Sequence, residues 1–316
     1  MTRYLVGRLA EMLAVLLLMS AVVFVLIGLM PGDPVDLMIA GDPKMTTEDA
    51  ARLRALYGLD RPIAARYLSW LGSALGGDLG YSRSFSRPVL DVLLPRLADT
   101  LLLMGLALLI SAAIALPVGM LAARRPRSTI DYGVNLLCFA GISVPPFWLA
   151  LLLIMAFSVL LGWLPASGVG EGLVDRVRHL AMPLAVLVLT NVGHYTRFVR
   201  AATIEVLRQD HIRTARAKGL SERDVVRRHA LRGALAPTFT VLALSFGGLF
   251  SGALITETMF GRPGMGKAIY DAIMGNDYNL ALVGLLIATA ATLAGSLLAD
   301  LGYAWLDPRV RLQGDR

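Results

Sequence analysis

The chain has few charged residues and almost no cysteine. Of its 316 residues, 17% are charged and only one, Cys138, is a cysteine. A single cysteine excludes a disulfide framework within the chain and argues against a cysteine-based metal cluster. Hydrophobic residues make up 56% of the sequence, whereas roughly 45–50% is usual in soluble domains. The composition therefore predicts an integral membrane protein.

Residue patterns typical of catalysis are also missing. The four histidines show no metal-ligand spacing, and neither H-E-x-x-H nor G-x-S-x-G occurs, so nothing supports a membrane-embedded enzyme. Acids are scarce within the apolar runs, where Glu257 and Asp300 lie near the ends. A stand-alone, proton-coupled secondary carrier usually needs an acid deep in the membrane, which makes that alternative less favoured.

Six apolar runs are long enough to span a bilayer, which takes roughly 20 residues in a helix. The first, in residues 1–30, resembles a signal peptide, but M-P-G-D follows it instead of a small-residue cleavage site, and we interpret it as an uncleaved anchor. The predicted spans are Leu9–Met30, Thr100–Ala122, Val134–Leu161, Leu180–Phe198, Thr238–Thr256 and Leu280–Trp305.

Residues 31–97 form the largest polar region and are predicted to be an ordered extracytoplasmic cap between the first two spans. Thr46 or Thr47 is expected to open a helix ending near Gly58, with Leu53 and Leu56 on its apolar face. Pro62 is expected to open a second helix, carrying Tyr67, Trp70 and Leu71, before a G-G-D-L-G turn. The membrane core is assigned to residues 98–306 and a tail to residues 307–316.

Several residues inside the spans are candidates for a transport pathway or a helix interface. Pro145 and Pro146 are expected to kink or break the third span. Thr190 and Asn191 either line a path or bond a neighbouring helix. Small residues in the fifth span favour close helix approach, which serves either packing or a moving interface; they are Gly247, Gly248, Ser251 and Gly252.

The distribution of basic residues predicts the orientation. Six spans place both termini on one side, and most of the thirty Lys and Arg residues fall on that side. The positive-inside rule therefore predicts cytoplasmic termini. It also places in the cytoplasm the basic connector Glu205–Pro237, which lies within the predicted loop 199–237.

The connector carries signals for two short helices joined at a tight turn. Gly219 is predicted to end the first helix in a left-handed conformation, followed by Leu220. Ser221 and Asp224 form an S-x-x-D capping box that opens the second. The predicted apolar stripes contain Ile204, Leu207 and Ala215 before the turn, and Val226, Ala230 and Ala234 after it.

Two motifs suggest DNA binding and nucleotide binding, but their sequence context argues against both functions. The connector resembles a basic helix-turn-helix, but tethering to membrane spans at both ends leaves no freedom to enter a DNA groove. The segment G-R-P-G-M-G-K-A, residues 261–268, nearly matches a phosphate-binding loop. Ala268 replaces the magnesium-binding hydroxyl, no strand is predicted before it, and it falls on the extracytoplasmic side. We therefore expect no nucleotide there.

Motifs along nearly the whole chain resemble the permease subunits of bacterial ABC importers for dipeptides and oligopeptides. They include L-M-P-G-D-P, Y-G-L-D-R-P-I, G-G-D-L-G-Y-S, R-P-V-L-D-V-L-L-P-R-L, G-W-L-P-A-S-G, R-T-A-R-A-K-G-L-S-E-R-D, F-G-R-P-G-M-G and D-P-R-V-R. The resemblance implies an all-α membrane protein with six helices and the type I importer permease fold. It also implies that the chain is not itself an enzyme.

The resemblance further implies a set of partners and a docking segment. The partners would be a homologous second permease, two ATPases that bind ATP and magnesium, and an extracytoplasmic binding protein, with no cofactor on this chain. Related importers carry nickel, glutathione, opines or sugars, so the cargo stays open. The family's loop that docks on the ATPase corresponds to Arg213, Thr214, Ala215, Arg216, Ala217, Lys218, Gly219, Leu220, Ser221, Glu222 and Asp224.

Overall fold

A computed structural model describes residues 2–29, 46, 48, 49, 52, 55 and 60–306. Within these residues the regular secondary structure is helical apart from one two-stranded antiparallel hairpin, and turns and irregular segments connect the elements. The chain divides into two compact units. One comprises Met1–Asp99 with Gly264–Ala291, and the other comprises Thr100–Pro263 with Thr292–Arg316.

The helices follow the apolar runs and are labelled in chain order. They are α1 (Thr2–Gly28), α2 (Ile63–Leu75), α3 (Val89–Arg124), α4 (Thr129–Ser143), α5 (Pro146–Leu153), a π-helix π1 (Ile154–Leu160), α6 (Gly172–Leu207), α7 (Asp210–Ala217), α8 (Glu222–Asp224), a second π-helix π2 (Val225–Ala230), α9 (Leu231–Met259), α10 (Met265–Met274) and α11 (Tyr278–Leu306).

In the first unit, the cap helix α2 packs on the apolar helix α1. The Tyr67 ring meets the Phe24 ring edge to face with centroids 5.6 Å apart, and the Tyr67 and Ser20 hydroxyl oxygens are 2.9 Å apart. Pro62 precedes the first helical residue, as the sequence predicts. The polar region therefore contributes a helix held to the first span by aromatic and hydrogen-bonded contacts.

The hairpin, which sequence analysis missed, follows the G-G-D-L-G turn. Its strands are β1 (Tyr81–Ser82) and β2 (Arg87–Pro88). The buried Asp277 carboxylate anchors it, because it accepts hydrogen bonds from the Ser82 hydroxyl at 2.5 Å and from the Ser84 backbone N–H at 2.9 Å. This anchor joins residues almost 200 positions apart, so no local pattern could reveal it.

The predicted helix near Thr46 falls largely outside the described residues. Its start is described, and there the Asp49 backbone N–H donates to the Thr46 hydroxyl at 3.2 Å, which identifies Thr46 as the cap. Leu53, Leu56 and the predicted helix end near Gly58 lie outside the described part, as does the tail 307–316.

In the described part of the chain, three helices are long and apolar enough to cross a membrane, namely Leu5–Gly28, Val89–Arg124 and Tyr278–Gly302. The count rises to four when α4 and the helix from Pro146 to Leu160 are taken as one bent span. The predicted fourth and fifth spans lie within α6 and α9, which are not in this set.

The third predicted span is broken at its two prolines. Helix α4 ends at Ser143, Val144 is extended, and Pro146 occupies the first turn of α5. The helix axes on either side differ in direction by 94°. Proline lacks the N–H that would continue the helix and disfavours a helical conformation in the preceding residue. The predicted kink or break is confirmed as a break.

Candidate functional site

The candidate site is the corner, residues 210–224, in which α7 meets α8. Gly219 has a φ of +79°, the left-handed conformation predicted for it. Its N–H donates to the Arg216 carbonyl at 2.9 Å, and the Leu220 N–H donates to the Ala215 carbonyl at 3.3 Å. These two bonds satisfy carbonyls at the end of α7 and form a Schellman motif.

The second half of the corner starts at the predicted cap. The Ser221 hydroxyl accepts a hydrogen bond from the Asp224 backbone N–H at 3.2 Å and donates to the Asp224 carboxylate at 2.7 Å. Ser221 therefore satisfies one of the free amides at the helix start. The helix start predicted from the S-x-x-D pattern is confirmed.

Below the corner lies a buried apolar cluster that fixes the two helices to each other. It consists of Val206, Ile212, Ala215, Val225 and Ala230, with Leu207 and Leu220 packed against it. Of the predicted stripe, Ala215, Val226, Ala230 and Ala234 are buried, whereas Ile204 and Leu207 are half-buried. Val206, Ile212 and Val225 are buried members that the predicted stripe omitted.

The prediction of two short helices is wrong for the second one. Helix α8 continues without a break through π2 into α9, so the capped residue Ser221 starts a helical segment that ends at Met259. A π-helical turn holds more residues per turn than an α-helical one. Here it places adjacent residues, Val225 and Val226, both in the buried interior.

The outer face of the corner is polar and exposed. The exposed residues of the predicted docking segment are Arg213, Thr214, Arg216, Ala217, Lys218, Gly219, Ser221 and Glu222. The Arg216 guanidinium donates two hydrogen bonds across the turn to the Glu222 carboxylate, at 2.7 and 3.1 Å, and lowers the pKa of that carboxyl below its usual range. The face therefore combines a fixed backbone with several exposed basic side chains.

The candidate pathway residues are spread over different elements. Pro145 and Pro146 form the break, and Thr190 and Asn191 are half-buried in α6. The Thr190 hydroxyl donates to the Val186 carbonyl at 2.9 Å, and the Asn191 amide donates to the Leu187 carbonyl at 2.7 Å. Both side chains thus satisfy carbonyls of their own helix, and a role in lining a path stays a prediction.

The small residues of the fifth span all lie in α9. A Cβ added to Gly247 would come within 2.5 Å of the Thr292 side chain, so α11 approaches α9 closely there. Gly248, Ser251 and Gly252 are helical. Their role in a moving interface stays a prediction.

The near match to a phosphate-binding loop has a different structural context from such a loop. Helix α9 precedes it, where a nucleotide-binding loop would follow a strand. Gly264 precedes the first residue of α10, and Ala268 is buried within that helix. In the described ranges no three His, Cys, Asp or Glu side chains are grouped in a way that would hold a metal ion.

Sequence reasoning placed Glu257 near the end of an apolar run and did not mark Asp131, and it predicted the burial of neither carboxylate. Asp131 forms an ion pair with Arg200, and Glu257, only 1% exposed, accepts a hydrogen bond from the Thr100 hydroxyl. The partners are 69 and 157 positions apart in sequence. A capping pattern, Ser128-x-x-Asp131, was the one local signal.

Comparison with known proteins decides the family. Residues 115–312 match the family described as the inner membrane component of binding-protein-dependent transport systems. Residues 1–104 match the N-terminal family of the same membrane components. The chain belongs to this family.

Similar curated proteins extend over the full length. They include an oligopeptide transport system permease protein, AppB, of Bacillus subtilis (38% identical, 98% of this chain and 99% of that protein). A putative peptide permease of Brucella suis is 39% identical over 99% of this chain and 100% of that protein. The di/tripeptide permease DppB of Pseudomonas aeruginosa is 38% identical over 99% of this chain and 100% of that protein.

A solved structure supports the fold. The crystal structure of an amino acid ABC transporter matches with a TM-score of 0.53 at 16% identity, over 67% of this chain and 93% of that one. The all-α, type I importer permease class is confirmed. The chain is a multi-pass inner-membrane permease of a binding-protein-dependent ABC transport system, which works with an ATPase and a binding protein, and it is not an enzyme.

Proposed function

We propose that this permease moves di- or oligopeptides into the cytoplasm by alternating access, and that ATP hydrolysis on partner subunits drives it through the corner. The observation that carries the proposal is the structure of the corner, in which a buried apolar cluster holds an exposed polar face in place. A rigid element transmits a displacement, whereas a flexible loop absorbs it. The peptide cargo rests on the full-length similarity to peptide permeases.

Two ATPase subunits would bind ATP and magnesium, with no cofactor on this chain, and a homologous second permease would complete the membrane part. The corner would dock on one ATPase through its exposed donors, which include Arg213 and Lys218. Both termini and the corner would face the cytoplasm, as the charge distribution predicts. Nickel, glutathione, opines and sugars are the competing cargoes.

Reconstitution in proteoliposomes tests the cargo. The permease is combined with its second permease, ATPases and binding protein, and uptake of radiolabelled trialanine is followed with and without ATP. We expect uptake that requires ATP and the binding protein. Uptake by this chain alone, or uptake of nickel, glutathione, an opine or a sugar in place of peptide, would contradict the proposal.

The docking face is tested by a charge reversal, Arg213→Glu. Its guanidinium is exposed and forms a surface ion pair with Asp210; because such exposed pairs contribute little, folding should be little affected. We expect less ATPase to copurify with the permease. The matched control is Arg125→Glu, because Arg125 is also exposed but lies outside the corner. Equal loss of ATPase in both variants would contradict the docking assignment.

A further inference from the structure

Helices α4 and α6 are in close antiparallel contact over much of α4. A Cβ added to Gly193 would lie 2.7 Å from the Cys138 carbonyl oxygen, and one added to Gly141 would lie 3.1 Å from the Leu189 carbonyl oxygen. The two backbones therefore approach each other with no side chain between them at these points. Such a pair moves as one body when its ends are also fixed.

A bidentate ion pair fixes one end of this helix pair. The Arg200 guanidinium donates to the Asp131 carboxylate through Nε at 2.5 Å and through Nη2 at 2.7 Å. The same carboxylate accepts from the Asn135 amide and from the Arg127 backbone N–H, each at 2.8 Å. Asp131 is only 2% exposed. Two of these hydrogen bonds, both from Arg200, hold the start of α4 on α6, and the other two orient the Asp131 carboxylate from its own side.

Helix α6 reaches the corner a short distance beyond this pair. Arg200 is seven residues before the helix end at Leu207, which is about 10 Å along the axis at 1.5 Å per residue. Within that stretch Val206 belongs to the buried cluster that also contains Ile212 and Ala215 of α7. The apolar cluster thus joins the corner to α6, and the ion pair joins α6 to α4.

The opposite end of α4 is the break of the third span. Helix α4 ends at Ser143, and after Val144 the chain turns by 94° into the helix that starts at Pro146. Continuous contacts therefore run from the exposed corner to a bend inside the membrane-spanning part. A bend between two rigid helices is a natural point for a change of angle.

We propose that Asp131 and Arg200 are positioning residues that carry the displacement of the corner into the bent third span. The inference rests on the proposed function. Its physical basis is directionality, because apolar contacts permit sliding whereas a bidentate Arg–carboxylate pair fixes both distance and orientation. A buried ion pair adds little to the free energy of folding compared with apolar side chains of similar size. We therefore expect this pair to matter more for the relative orientation of α4 and α6 than for stability.

The test separates transmission from folding in the reconstituted complex. Asp131→Asn, Arg200→Gln and the double variant are compared for three quantities, namely the amount of assembled complex, ATP hydrolysis stimulated by the binding protein, and trialanine uptake. Arg200→Lys keeps the charge but loses the bidentate geometry. Asp271→Asn, which removes a surface ion pair with Lys267 on α10, is the matched control.

We expect each single variant to assemble and hydrolyse ATP while uptake per ATP falls about ten-fold, in the range reported for coupling residues. The double variant should be no worse than the worse single one, and Arg200→Lys should be partly defective. In the variants that assemble, a loss of uptake that merely parallels the loss of hydrolysis, additive losses in the double variant, or unchanged uptake would each overturn the proposal.

The same experiment distinguishes failure of the proposed function from failure of the proposed role of Asp131 and Arg200. Wild-type complex that takes up no peptide contradicts the cargo assignment, whereas wild-type uptake with unaffected variants contradicts only the transmission role. If the Asp131→Asn variant does not assemble, the Arg200→Lys variant is used to test the proposal, because it keeps both charges of the ion pair. Wild-type uptake per ATP in an assembled Arg200→Lys complex would then reject the requirement for bidentate geometry.

Discussion

Replacement of Gly219 tests whether the shape of the corner matters for transport. Gly219 has a φ of +79°, and in the described part of the chain no residue beyond its two neighbours has an atom within 4 Å of the place where a Cβ would stand. A side chain there meets no steric obstacle, so the free-energy cost of a substitution comes from the left-handed backbone conformation alone. That cost is about 1–2 kcal/mol for an ordinary L-residue, is small for asparagine, and is larger for proline, whose ring holds φ negative.

Proline costs more because it also removes a hydrogen bond. The Gly219 N–H donates to the Arg216 carbonyl at 2.9 Å, and proline has neither that N–H nor a positive φ. A penalty of 1–2 kcal/mol changes the population of the native corner by roughly five- to thirty-fold. ATPase copurification and peptide uptake should therefore decline in the order Asn, Val, Pro.

Gly172→Val provides the matched control. Gly172 also has a positive φ and an open Cβ position, but it lies at the start of α6, outside the corner. We expect this variant to lower the yield of folded permease without changing the ATPase retained per permease. Equal ATPase retention and uptake in Gly219→Asn and Gly219→Pro would refute the reasoning.

Three further predictions concern single contacts. Ser221→Ala should cost about 1 kcal/mol through loss of its cap, measured as a lower melting temperature of the detergent-solubilised permease. Because Arg216 lowers the pKa of the Glu222 carboxyl below its ordinary 4.5, their pair contributes in full above that pH and is lost as the pH falls through the lowered pKa. The melting temperature of the wild-type permease should therefore be slightly higher than that of Glu222→Gln at neutral pH, and the difference should disappear once the pH is below the lowered pKa of Glu222. Gly193→Val should reduce folded yield, because a Cβ there would meet the Cys138 carbonyl oxygen at 2.7 Å and overpacking costs about 1–3 kcal/mol.

The corner was predictable because its signals are local. Gly219, Leu220, Ser221 and Asp224 lie within six residues and each has a known preference at a helix end. The same holds for the break at Pro145 and Pro146. Hydropathy also located the apolar helices α1, α3 and α11, since a bilayer demands long apolar runs, whereas in the described part of the chain α6 and α9 are not among the helices long and apolar enough to cross a membrane.

The continuous helix after Ser221 was not predictable in the same way. A π-helical turn such as Val225–Ala230 carries no distinctive composition, and its extra residue is accommodated by packing against other elements. The Asp131–Arg200 pair depends on the register between two helices that are distant in sequence. Such contacts are set by tertiary packing, which a single sequence does not encode in any local pattern.

The buried position of Cys138 has a practical consequence for chemical labelling. The thiol is the chain's sole native cysteine, and its residue is 7% exposed in α4, where Gly193 of α6 packs against its backbone. A membrane-impermeant maleimide should leave it unmodified in the folded permease. A cysteine introduced at the exposed residue Ala217 can then be labelled selectively in the wild-type background, and the side from which it reacts reports directly on the orientation of the corner in the membrane.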